Sequence, residues 1–405
     1  MNILFLCHRI PYPPDKGDKI RSFNELKYLS RSHNVYLGAI LDEESERVYL
    51  NILDEYCKEV YAVHFNRRVR RLKSLFSSKP FSVSNFYDKN LQYFIDRILR
   101  DKKIDAVICF CSSMAEYIFK NPLYRENGLT GIKLIMDFVD LDSDKWLQYA
   151  NYTRFPLNLI YGLEHRRLFK YELKINRLFQ NSVFVSEREV RVFKKLYSEA
   201  KNIQVILNGV DYEYFLPKPS SIEYRVSSVQ YPLLVFTGVM DYFANEDGVR
   251  WFCENIFPII RAEFPHAQFF IVGNKPTNVV WNLSEIDGVT VTGYVDDIRE
   301  YYWMADVCVM PLRIARGLQN KVLESMVTGN AVVVTSNASD GIICHKDTDI
   351  LIADDVEKFA NEVITLLKDE KRRKEMGRKA VENIRKNYSW ETNLKIFNDL
   401  LYADE

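Results

Sequence analysis

The feature that most constrains the fold is a regular alternation of short apolar segments with helical patterns along almost the whole chain. The apolar segments lie near 2–7, 34–41, 58–63, 104–109, 132–138, 181–185 and 202–206, and then near 231–237, 267–273, 289–292, 306–310, 331–335 and 350–352. Such alternation predicts two parallel β-sheets covered by helices on both faces. The pattern breaks between 212 and 230, where LPKPSS and a polar run have the composition of a linker. The predicted class is therefore α/β, with two doubly wound domains at 1–211 and 231–387.

Strand, turn and helix signals follow one another closely in PLRIARGLQNKVLESMVTGNAVVV, from Pro311 to Val334. Gly317 permits a tight turn, and the spacing predicts a helix from Leu318 to Thr328. Gly329 then stands at the position that typically ends a helix. A second apolar strand follows directly.

Charged side chains cluster at the start of this predicted helix. Arg313, Arg316 and Lys321 would surround its first N–H groups, an arrangement that suits a diphosphate. Glu324 lies one turn further along the polar side, where a carboxylate suits ribose hydroxyls. The polar side also carries Ser325. An ordinary solvated helix face has the same charge spacing, so the pattern alone leaves both interpretations open.

The same segment resembles the donor-site motif of family 4 GT-B glycosyltransferases. In that motif one glutamate faces the sugar and a second, eight residues later, holds the ribose. Glu324 stands at the second position and Arg316 at the first. Within the family, PLRIARGLQNKVLE is most similar to sugar transferases associated with bacterial exosortase (PEP-CTERM) and exopolysaccharide systems.

Further blocks resemble this subgroup over nearly the whole chain. They are HRIPYPPDKGDKIRSFNEL at 8–26, DFVDLDSDKWLQYA at 137–150, NGVD at 208–211, FTGVMDYFANEDGVRWF at 236–252 and YSW at 388–390. The resemblance implies a GT-B fold of two Rossmann-like domains facing one cleft, with a closing helix in 388–405 that returns to the first domain. It also implies a retaining enzyme that moves a sugar from a nucleotide-diphosphate sugar to a lipid-linked or polysaccharide hydroxyl. Neither a metal nor an enzymatic nucleophile is expected.

The resemblance assigns most of the donor contacts to the second domain. Gly238 follows a strand and would bring backbone amides to the phosphates, while Gly273 and Val295 would lie beneath the base. Many family members carry an arginine and a lysine where this chain has Val239 and Asn245. The missing positive charge is therefore expected from the basic residues near 313–321. The implied donor-binding residues are Gly17, Gly238, Gly273, Val295, Arg313, Gly317, Leu318 and Glu324.

The loop after the first strand holds a proline-rich corner and several charges. Its glycine, Gly17, is where a family 4 enzyme brings this loop against the donor phosphates, and glycine permits that approach because it lacks a Cβ. A proline-stiffened loop with solvated charges is the alternative interpretation. The candidate acceptor-binding residues here are Arg9, Lys16, Asp18 and Arg21. No GxGxxG follows this strand, which argues against a dehydrogenase.

Carboxylates crowd together just after a later strand, in DFVDLDSDKW. We expect Asp140 to be catalytic together with Arg316 and Lys321, because it stands where many relatives carry a cleft-facing histidine. Asp142 is a further candidate for acceptor binding, with helix capping by Asp142 or Ser143 as the alternative. A calcium loop is not indicated, since the glycine and glutamate of an EF-hand are missing.

A basic amphipathic segment, NRRVRRLKSLFSSK, occupies 66–79 and contains no acidic residue. Contact with an anionic membrane surface and an ordinary basic surface helix are equally compatible with this pattern. Nucleic acid is disfavoured, because no recognisable binding motif accompanies the charge. No apolar run of 18 residues occurs, and no cationic region precedes the first strand. We therefore expect a cytoplasmic protein, with peripheral attachment to the inner face of the membrane left open.

Two alternatives to a transferase remain at this point. A nucleotide-sugar epimerase shares the two-domain fold but would form its product without an acceptor. A non-catalytic relative that binds nucleotide sugars is suggested by Arg316 and by the missing arginine and lysine. Measured transfer separates both from an active transferase.

Overall fold

The computed structural model describes residues 1–64, 79–216, 231–315 and 317–402. The chain divides into two compact units: Met1–Leu207 with Glu391–Glu405, and Asn208–Trp390. These divisions fall close to the predicted domain limits of 211 and 388. Three predicted features lie wholly or mostly outside the described residues. They are Arg316, the linker at 212–230, of which only 212–216 are described, and the basic segment at 66–79, of which only Lys79 is described.

The first unit is built on a seven-stranded parallel sheet in the order β3-β2-β1-β4-β5-β6-β7. Its strands are β1 Asn2–Cys7, β2 Asn34–Leu41, β3 Glu59–His64, β4 Ala106–Phe110, β5 Lys133–Val139, β6 Asn181–Phe184 and β7 Ile203–Val205. Every residue of the central strand β4 is buried, as expected for a parallel strand covered by helices on both faces. The predicted apolar segments of this half are confirmed as strands.

Helices cover both faces of this sheet. Their bounds are Gly17–Ser30, Leu50–Leu53, Phe81–Asn85, Lys89–Asp101, Ala115–Lys120, Pro122–Asn127, Asp142–Tyr152, Leu157–Leu178 and Glu187–Leu196. The helix after Asp88 illustrates why they form where they do. The Asp88 carboxylate accepts from the N–H groups of Asn90 and Leu91, and Leu91, Ile95 and Ile98 then recur at helical spacing and are fully buried.

The second unit contains a six-stranded parallel sheet in the order β10-β9-β8-β11-β12-β13. Its strands are β8 Leu233–Thr237, β9 Gln268–Val272, β10 Val289–Gly293, β11 Val307–Met310, β12 Ala331–Val334 and β13 Leu351–Ile352. Its helices are Tyr212–Phe215, Phe243–Trp251, Phe257–Glu263, Asn278–Asn282, Arg299–Met304, Asn320–Val327, Ser336–Ser339, Val356–Lys368 and Glu370–Asn387. A π-helical turn, Phe252–Ile256, joins two of these helices. The second series of predicted strands is confirmed as well.

The end of the chain belongs to the first unit. After Trp390–Leu394, the last helix runs from Ile396 to Tyr402. Asn398 donates from Nδ2 to the Tyr28 hydroxyl at 3.0 Å, and Lys133 Nζ donates to the Leu401 carbonyl at 3.0 Å. Among the helices of the described ranges, none is both long and apolar enough to cross a membrane.

The strand orders locate where ligands are expected in each unit. In the first sheet the order reverses between β1 and β4, and in the second between β8 and β11. Open α/β sheets bind ligands beyond the carboxyl ends of the strands at such a reversal. The loops after β1 and β8, and the segment after β11, are therefore the places to look for a site.

A pair of glycine substitutions tests the packing of the second unit. A Cβ on Gly377 would stand 1.9 Å from the Gly329 carbonyl oxygen, so Gly377→Ala should lower the free energy of unfolding by about 1–3 kcal/mol through overpacking. Gly162 also lies inside a helix, but its Cβ would meet no described atom within 4 Å. Gly162→Ala should therefore stabilise by about 0.5–1 kcal/mol. Urea unfolding measures the free energy of unfolding of both variants. Equal changes in that free energy would contradict the close contact between Gly377 and Gly329.

Candidate functional site

Two glycine-containing loops meet backbone to backbone at the carboxyl ends of β8 and β9. The N–H of Gly238 donates to the Val272 carbonyl at 3.0 Å. Gly273 has a φ of 146°, and a Cβ there would stand only 1.7 Å from the Gly238 carbonyl oxygen. Glycine at 273 is thus required for this approach. At Gly273 the two backbones leave no room for a side chain, whereas the side chains of Asn245 and Lys321 lie beside Gly238.

The helix Asn320–Val327 points its first turn toward these loops. Gly317 adopts the left-handed conformation at φ 63°, and Gly329 does so beyond the helix end at φ 79°, as the sequence predicts. The helix begins two residues later than expected, because Gln319 is extended and serves as the N-cap residue. Leu318 is therefore not helical and packs, partly buried, against the core of the unit.

Lys321 lies beside the Gly238 loop. Its Nζ is 2.9 Å from the position that a Cβ on Gly238 would take, and it donates to Oδ1 of Asn245. The ammonium also lies 4.5 Å from the centroid of the Phe236 ring. Burial lowers the pKa of Lys321 to about 7, against the opposing effect of Glu324. Lys321 therefore changes charge near neutral pH, which makes it responsive to an arriving anion.

Glu324 is held by a short chain of hydroxyl groups. Tyr302 donates to Glu324 Oε2 at 3.0 Å, and the Tyr302 hydroxyl lies 2.6 Å from that of Thr237. Burial raises the pKa of Glu324, while the Tyr302 hydrogen bond and the Lys321 charge lower it. Tyr302 is completely buried, so it holds the Glu324 carboxylate from the side of the core. Among the described residues, none is recorded as hydrogen-bonded to its other oxygen, which a ligand hydroxyl could use.

Asn245 and Tyr302 complete this arrangement, although neither was predicted as a site residue. Asn245 is almost fully buried, accepts from Lys321 and donates from Nδ2 to the Val239 carbonyl at 2.9 Å. The signal for Asn245 was its place where relatives carry a lysine. Tyr302 carries no such signal, because it comes from the separate helix Arg299–Met304. We call Gly238, Asn245, Lys321, Glu324 and Tyr302 the Lys321 cluster.

Three further expectations in this unit are changed or refined. Arg313 makes a two-point ion pair with Asp247, with Nε to Oδ2 at 3.0 Å, so much of its charge is compensated there. Ser325 does not belong to a solvated stripe, because its side chain is fully buried and its hydroxyl donates to the Lys321 carbonyl at 2.8 Å. Val295 lies just after β10 and packs, partly buried, against the core.

In the first unit the loop after β1 forms a compact ion-pair network. Asp18 is 3.2 Å from His8 Nε2 and also accepts from Arg9. Arg9 Nε lies 3.2 Å from Asp42, and Lys16 Nζ lies 3.5 Å from the same carboxylate. Burial alone would raise the pKa of Asp18, but His8 and Arg9 lower it well below its ordinary value.

Gly17 begins the helix Gly17–Ser30 directly after this loop. The preceding residue, Lys16, is extended and makes no side-chain cap, so its side chain does not occupy the first-turn N–H groups. Gly17 itself is exposed. An exposed helix start without an N-cap side chain therefore follows directly after the ion-pair network.

Arg21 requires a correction. Its side chain has no exposed surface and donates to Asp137 Oδ2 from Nε and Nη2, at 3.0 and 2.7 Å. It is also paired with Glu25 at 2.8 Å and donates to the Ile206 carbonyl. A guanidinium enclosed in this way ties the first helix to the sheet. It is out of reach of an acceptor, so the expectation that Arg21 binds one is wrong.

Asp140 follows a strained residue at the end of β5. Val139 has a φ of 64°, a conformation rarely taken by a β-branched residue. Burial and the neighbouring carboxylates of Glu189 and Asp142 raise the pKa of Asp140 to about 7. Within the described residues its Oδ1 has no hydrogen-bond partner. Asp140 can therefore carry a proton near neutral pH, although this Oδ1 atom is itself buried.

The helix after Asp140 is capped by distant residues rather than by its own first side chains. Glu189 Oε2 accepts from the Leu141 N–H at 2.8 Å, and Glu172 Oε1 accepts from the Ser143 N–H at 3.1 Å. Capping by Asp142 or Ser143 is thus wrong, and Asp142 is left partly exposed at the helix start. Within the described ranges, no group of three or more His, Cys, Asp or Glu side chains is arranged to hold a metal ion.

Comparison with known proteins places this geometry in context. Residues 231–369 match the family model described as Glycosyl transferases group 1. The matched residues lie within the second unit. An uncharacterized 44.6 kDa protein in the cps region of Klebsiella pneumoniae is 23% identical over 415 residues, which is 98% of each chain.

Two further comparisons concern a relative named as a galactosyltransferase and a solved structure. The UDP-Gal:alpha-D-GlcNAc-diphosphoundecaprenol alpha-1,3-galactosyltransferase of Escherichia coli is 24% identical over 187 residues, covering 44% of this chain and 48% of the relative. The solved structure of Anabaena Alr3699/HepE in complex with UDP has a TM-score of 0.69 at 13% identity and covers 100% of both chains.

These findings confirm the predicted GT-B fold class and show that the protein is a glycosyltransferase enzyme. The narrower likeness to exosortase-associated transferases stays a prediction.

Proposed function

We propose that this glycosyltransferase moves a sugar, with retention of anomeric configuration, from a nucleotide-diphosphate sugar to a hydroxyl of a lipid-linked or polysaccharide acceptor. The observation that carries the donor side of the proposal is the convergence of the Gly238 backbone, Lys321 and Glu324 in one small region. A backbone loop, one cation and one fixed carboxylate are what a diphosphate attached to a ribose needs.

In this proposal Lys321 binds the diphosphate. Its ammonium lies against the Gly238 loop, so it can reach a phosphate placed beside that loop, whereas the Gly238 N–H is already bonded to the Val272 carbonyl. The start of the helix Asn320–Val327 adds a favourable dipole for an anion. Lys321 thereby supplies the charge that relatives place just after Gly238. Arg316 would add a second charge from the preceding turn.

Glu324 binds the ribose in the same proposal. Tyr302 occupies one carboxylate oxygen and keeps the group from rotating, which leaves the second oxygen to accept from a ribose hydroxyl. Charge-assisted hydrogen bonds of this kind are shorter and stronger than neutral ones. The base would rest against main-chain groups near Gly273 and Val295. We take UDP as the probe nucleotide, because the structurally similar Anabaena protein was solved with it.

The transfer step needs stabilisation of the leaving group more than it needs a protein nucleophile. The bond between the anomeric carbon and the β-phosphate oxygen breaks, and a bond forms from the acceptor oxygen to the same face of that carbon. The acceptor proton passes to the leaving phosphate oxygen. Lys321 would act here because negative charge grows on the diphosphate as the first bond breaks.

Two relatives and the polar side chains of the first unit support a lipid-linked or polysaccharide acceptor. One relative belongs to a cps region, and another is named for transfer to a diphosphoundecaprenol-linked sugar. In the first unit, Asp140 and Asp142 and the network of Arg9, Lys16 and Asp18 supply polar groups suited to sugar hydroxyls. We assign Asp140 to a sugar contact, since it is partly exposed directly after the carboxyl end of β5.

A transfer assay tests this proposal. Purified protein would be supplied with a panel of nucleotide-diphosphate sugars and with polyprenyl-diphosphate sugars as acceptors. We expect one pair to give a disaccharide product whose new bond keeps the donor's anomeric configuration by NMR. Product that forms from the donor without any acceptor would indicate an epimerase. Tight donor binding with no product from any pair would indicate a non-catalytic relative.

The pKa of Lys321 predicts how diphosphate binding depends on pH. Below about pH 7 the lysine is charged in the free protein, whereas above it the group is neutral and must take up a proton when the anion binds. The Kd for UDP should therefore rise by about tenfold per unit between pH 7.5 and 9. Lys321→Met should remove this slope. Calorimetry at three pH values measures it, and an equal slope in the variant would refute the assignment.

A further inference from the structure

The tip of a helical hairpin in the first unit exposes an unusual number of large apolar side chains. The hairpin consists of the helices Asp142–Tyr152 and Leu157–Leu178 with the short connection between them. Its exposed apolar residues are Tyr152 at 59%, Phe155 at 77%, Leu157 at 48%, Leu159 at 63% and Leu163 at 42%. Single exposed apolar side chains are ordinary, but five fall here within the twelve residues from 152 to 163, and concentrations of exposed apolar surface mark places that contact something. We call these five residues the hairpin tip.

The hairpin tip stands on a well-packed base. The rings of Trp146 and Tyr161 have centroids 5.3 Å apart, with Tyr149 against both. Further along the second helix, Leu168 is fully buried in the core of the unit. Glu164 is also fully buried, and its carboxylate accepts from the N–H groups of Phe81 and Ser82 at 2.7 and 2.9 Å. The exposed residues are therefore presented by a fixed scaffold.

The charges around the tip are of one sign. Arg154, Arg166 and Lys170 are exposed beside it. Between 145 and 170 the sequence contains a single acidic residue, Glu164, and that one is buried. Leu159, Leu163, Arg166 and Lys170 succeed one another at spacings of four, three and four, which places them on one stripe of the helix. The stripe is apolar at the tip and basic about one turn further along.

We propose that the hairpin tip docks on an anionic lipid membrane. The apolar side chains would enter the boundary between headgroups and acyl chains. The basic side chains of Arg166 and Lys170, further along the helix, would contact lipid phosphates. Arginine and lysine suit that depth, because their apolar stems can lie along the interface with the charge in water. A second copy of the chain is a poorer occupant, since a twofold contact would bring like charges on the two tips together.

Docking at this surface would bring the first unit to the place where the lipid part of an acceptor resides. The proposal does not depend on the proposed reaction, because binding to vesicles is measured without donor or turnover. It also differs from docking through 66–79, because a separate set of residues would carry it.

Vesicle co-sedimentation with three matched variants tests the proposal. The tip variant carries Phe155→Ser, Leu159→Ser and Leu163→Ser, and the charge variant carries Arg154→Glu, Arg166→Glu and Lys170→Glu. The control variant carries Val48→Ser, Tyr93→Ser and Leu196→Ser, which are exposed apolar residues elsewhere in the same unit. Vesicles of phosphatidylglycerol with phosphatidylcholine would be compared with phosphatidylcholine alone, at low and high salt.

We expect wild type and control to bind the anionic vesicles equally. The tip variant should bind at least about tenfold more weakly, and the charge variant should lose about fivefold per charge and most of its salt dependence. All four proteins should bind UDP with the same affinity. If the tip variant loses UDP binding or thermal stability, the single variant Phe155→Ser replaces it, because that side chain is the most exposed of the five.

Three results would overturn the proposal. The first is wild-type protein that stays in the supernatant with anionic vesicles at low salt. The second is a tip variant that binds as wild type does, which would move any membrane contact elsewhere. The third is a dimer of the wild type in light scattering that the tip variant dissociates while vesicle binding is retained. That result would assign the tip to a second copy of the chain.

Discussion

Replacing Lys321 with methionine should lower the rate of sugar transfer by about a hundred- to a thousandfold, the range seen when one preorganised stabilising group is lost. Methionine keeps the length of the side chain and removes the charge that faces the Gly238 loop. Because charge on the diphosphate grows as the bond breaks, the loss should be larger in turnover than in donor affinity. The measurement is single-turnover transfer at saturating donor.

A control separates this effect from folding. Burial already lowers the pKa of Lys321, so a neutral side chain at this site should leave thermal stability unchanged or raised. Lys358→Met changes an exposed lysine of the same unit and should transfer at the wild-type rate. A Lys321→Met enzyme that is stable and transfers at a near-wild-type rate would assign neutralisation of the diphosphate to another group.

Glu324→Ala should weaken UDP binding by roughly ten- to a hundredfold, since a hydrogen bond to a charged group contributes about 1.5–3 kcal/mol. The loss should be specific to the ribose. Wild type should bind 2′,3′-dideoxy-UDP about as weakly as the variant binds UDP. The variant should not distinguish the two ligands, because the partner of the hydroxyls is gone.

Calorimetry on the four combinations of protein and ligand measures this coupling. Glu357→Gln, which changes an exposed carboxylate in the same unit, should behave as wild type. If Glu324→Ala still prefers UDP to its dideoxy analogue by the wild-type factor, the ribose is held by other groups.

The sheets could be predicted closely from the sequence. Parallel strands buried on both faces are nearly continuous apolar runs, so β4 and β11 are visible as such, and the helices between them follow from their spacing. Gly317 and Gly329 were predictable for a similar local reason, since both positions require a left-handed backbone. Local rules therefore account for the architecture and for the turns that position the donor helix.

The site could be predicted only in part, because its partners lie far apart in the sequence. Lys321 and Glu324 were indicated by their place in the segment that resembles a donor-site motif, but Asn245 and Tyr302, which orient them, reach the cluster from other helices. Arg21 was wrongly included among the site residues. It was grouped with the exposed charges of its loop, yet Asp137, more than a hundred residues away, encloses it in the core.

The most direct test of the central claim is calorimetric titration of the wild-type protein with UDP, UMP and uridine at pH 7. If the Lys321 cluster binds the donor diphosphate, UDP should bind saturably, UMP at least about tenfold more weakly and uridine more weakly still. Lys321→Met should bring UDP close to UMP. Equal affinity of the folded wild-type protein for UDP and uridine would contradict this assignment of the Lys321 cluster. So would a protein that binds neither UDP nor any other nucleoside diphosphate at millimolar concentration.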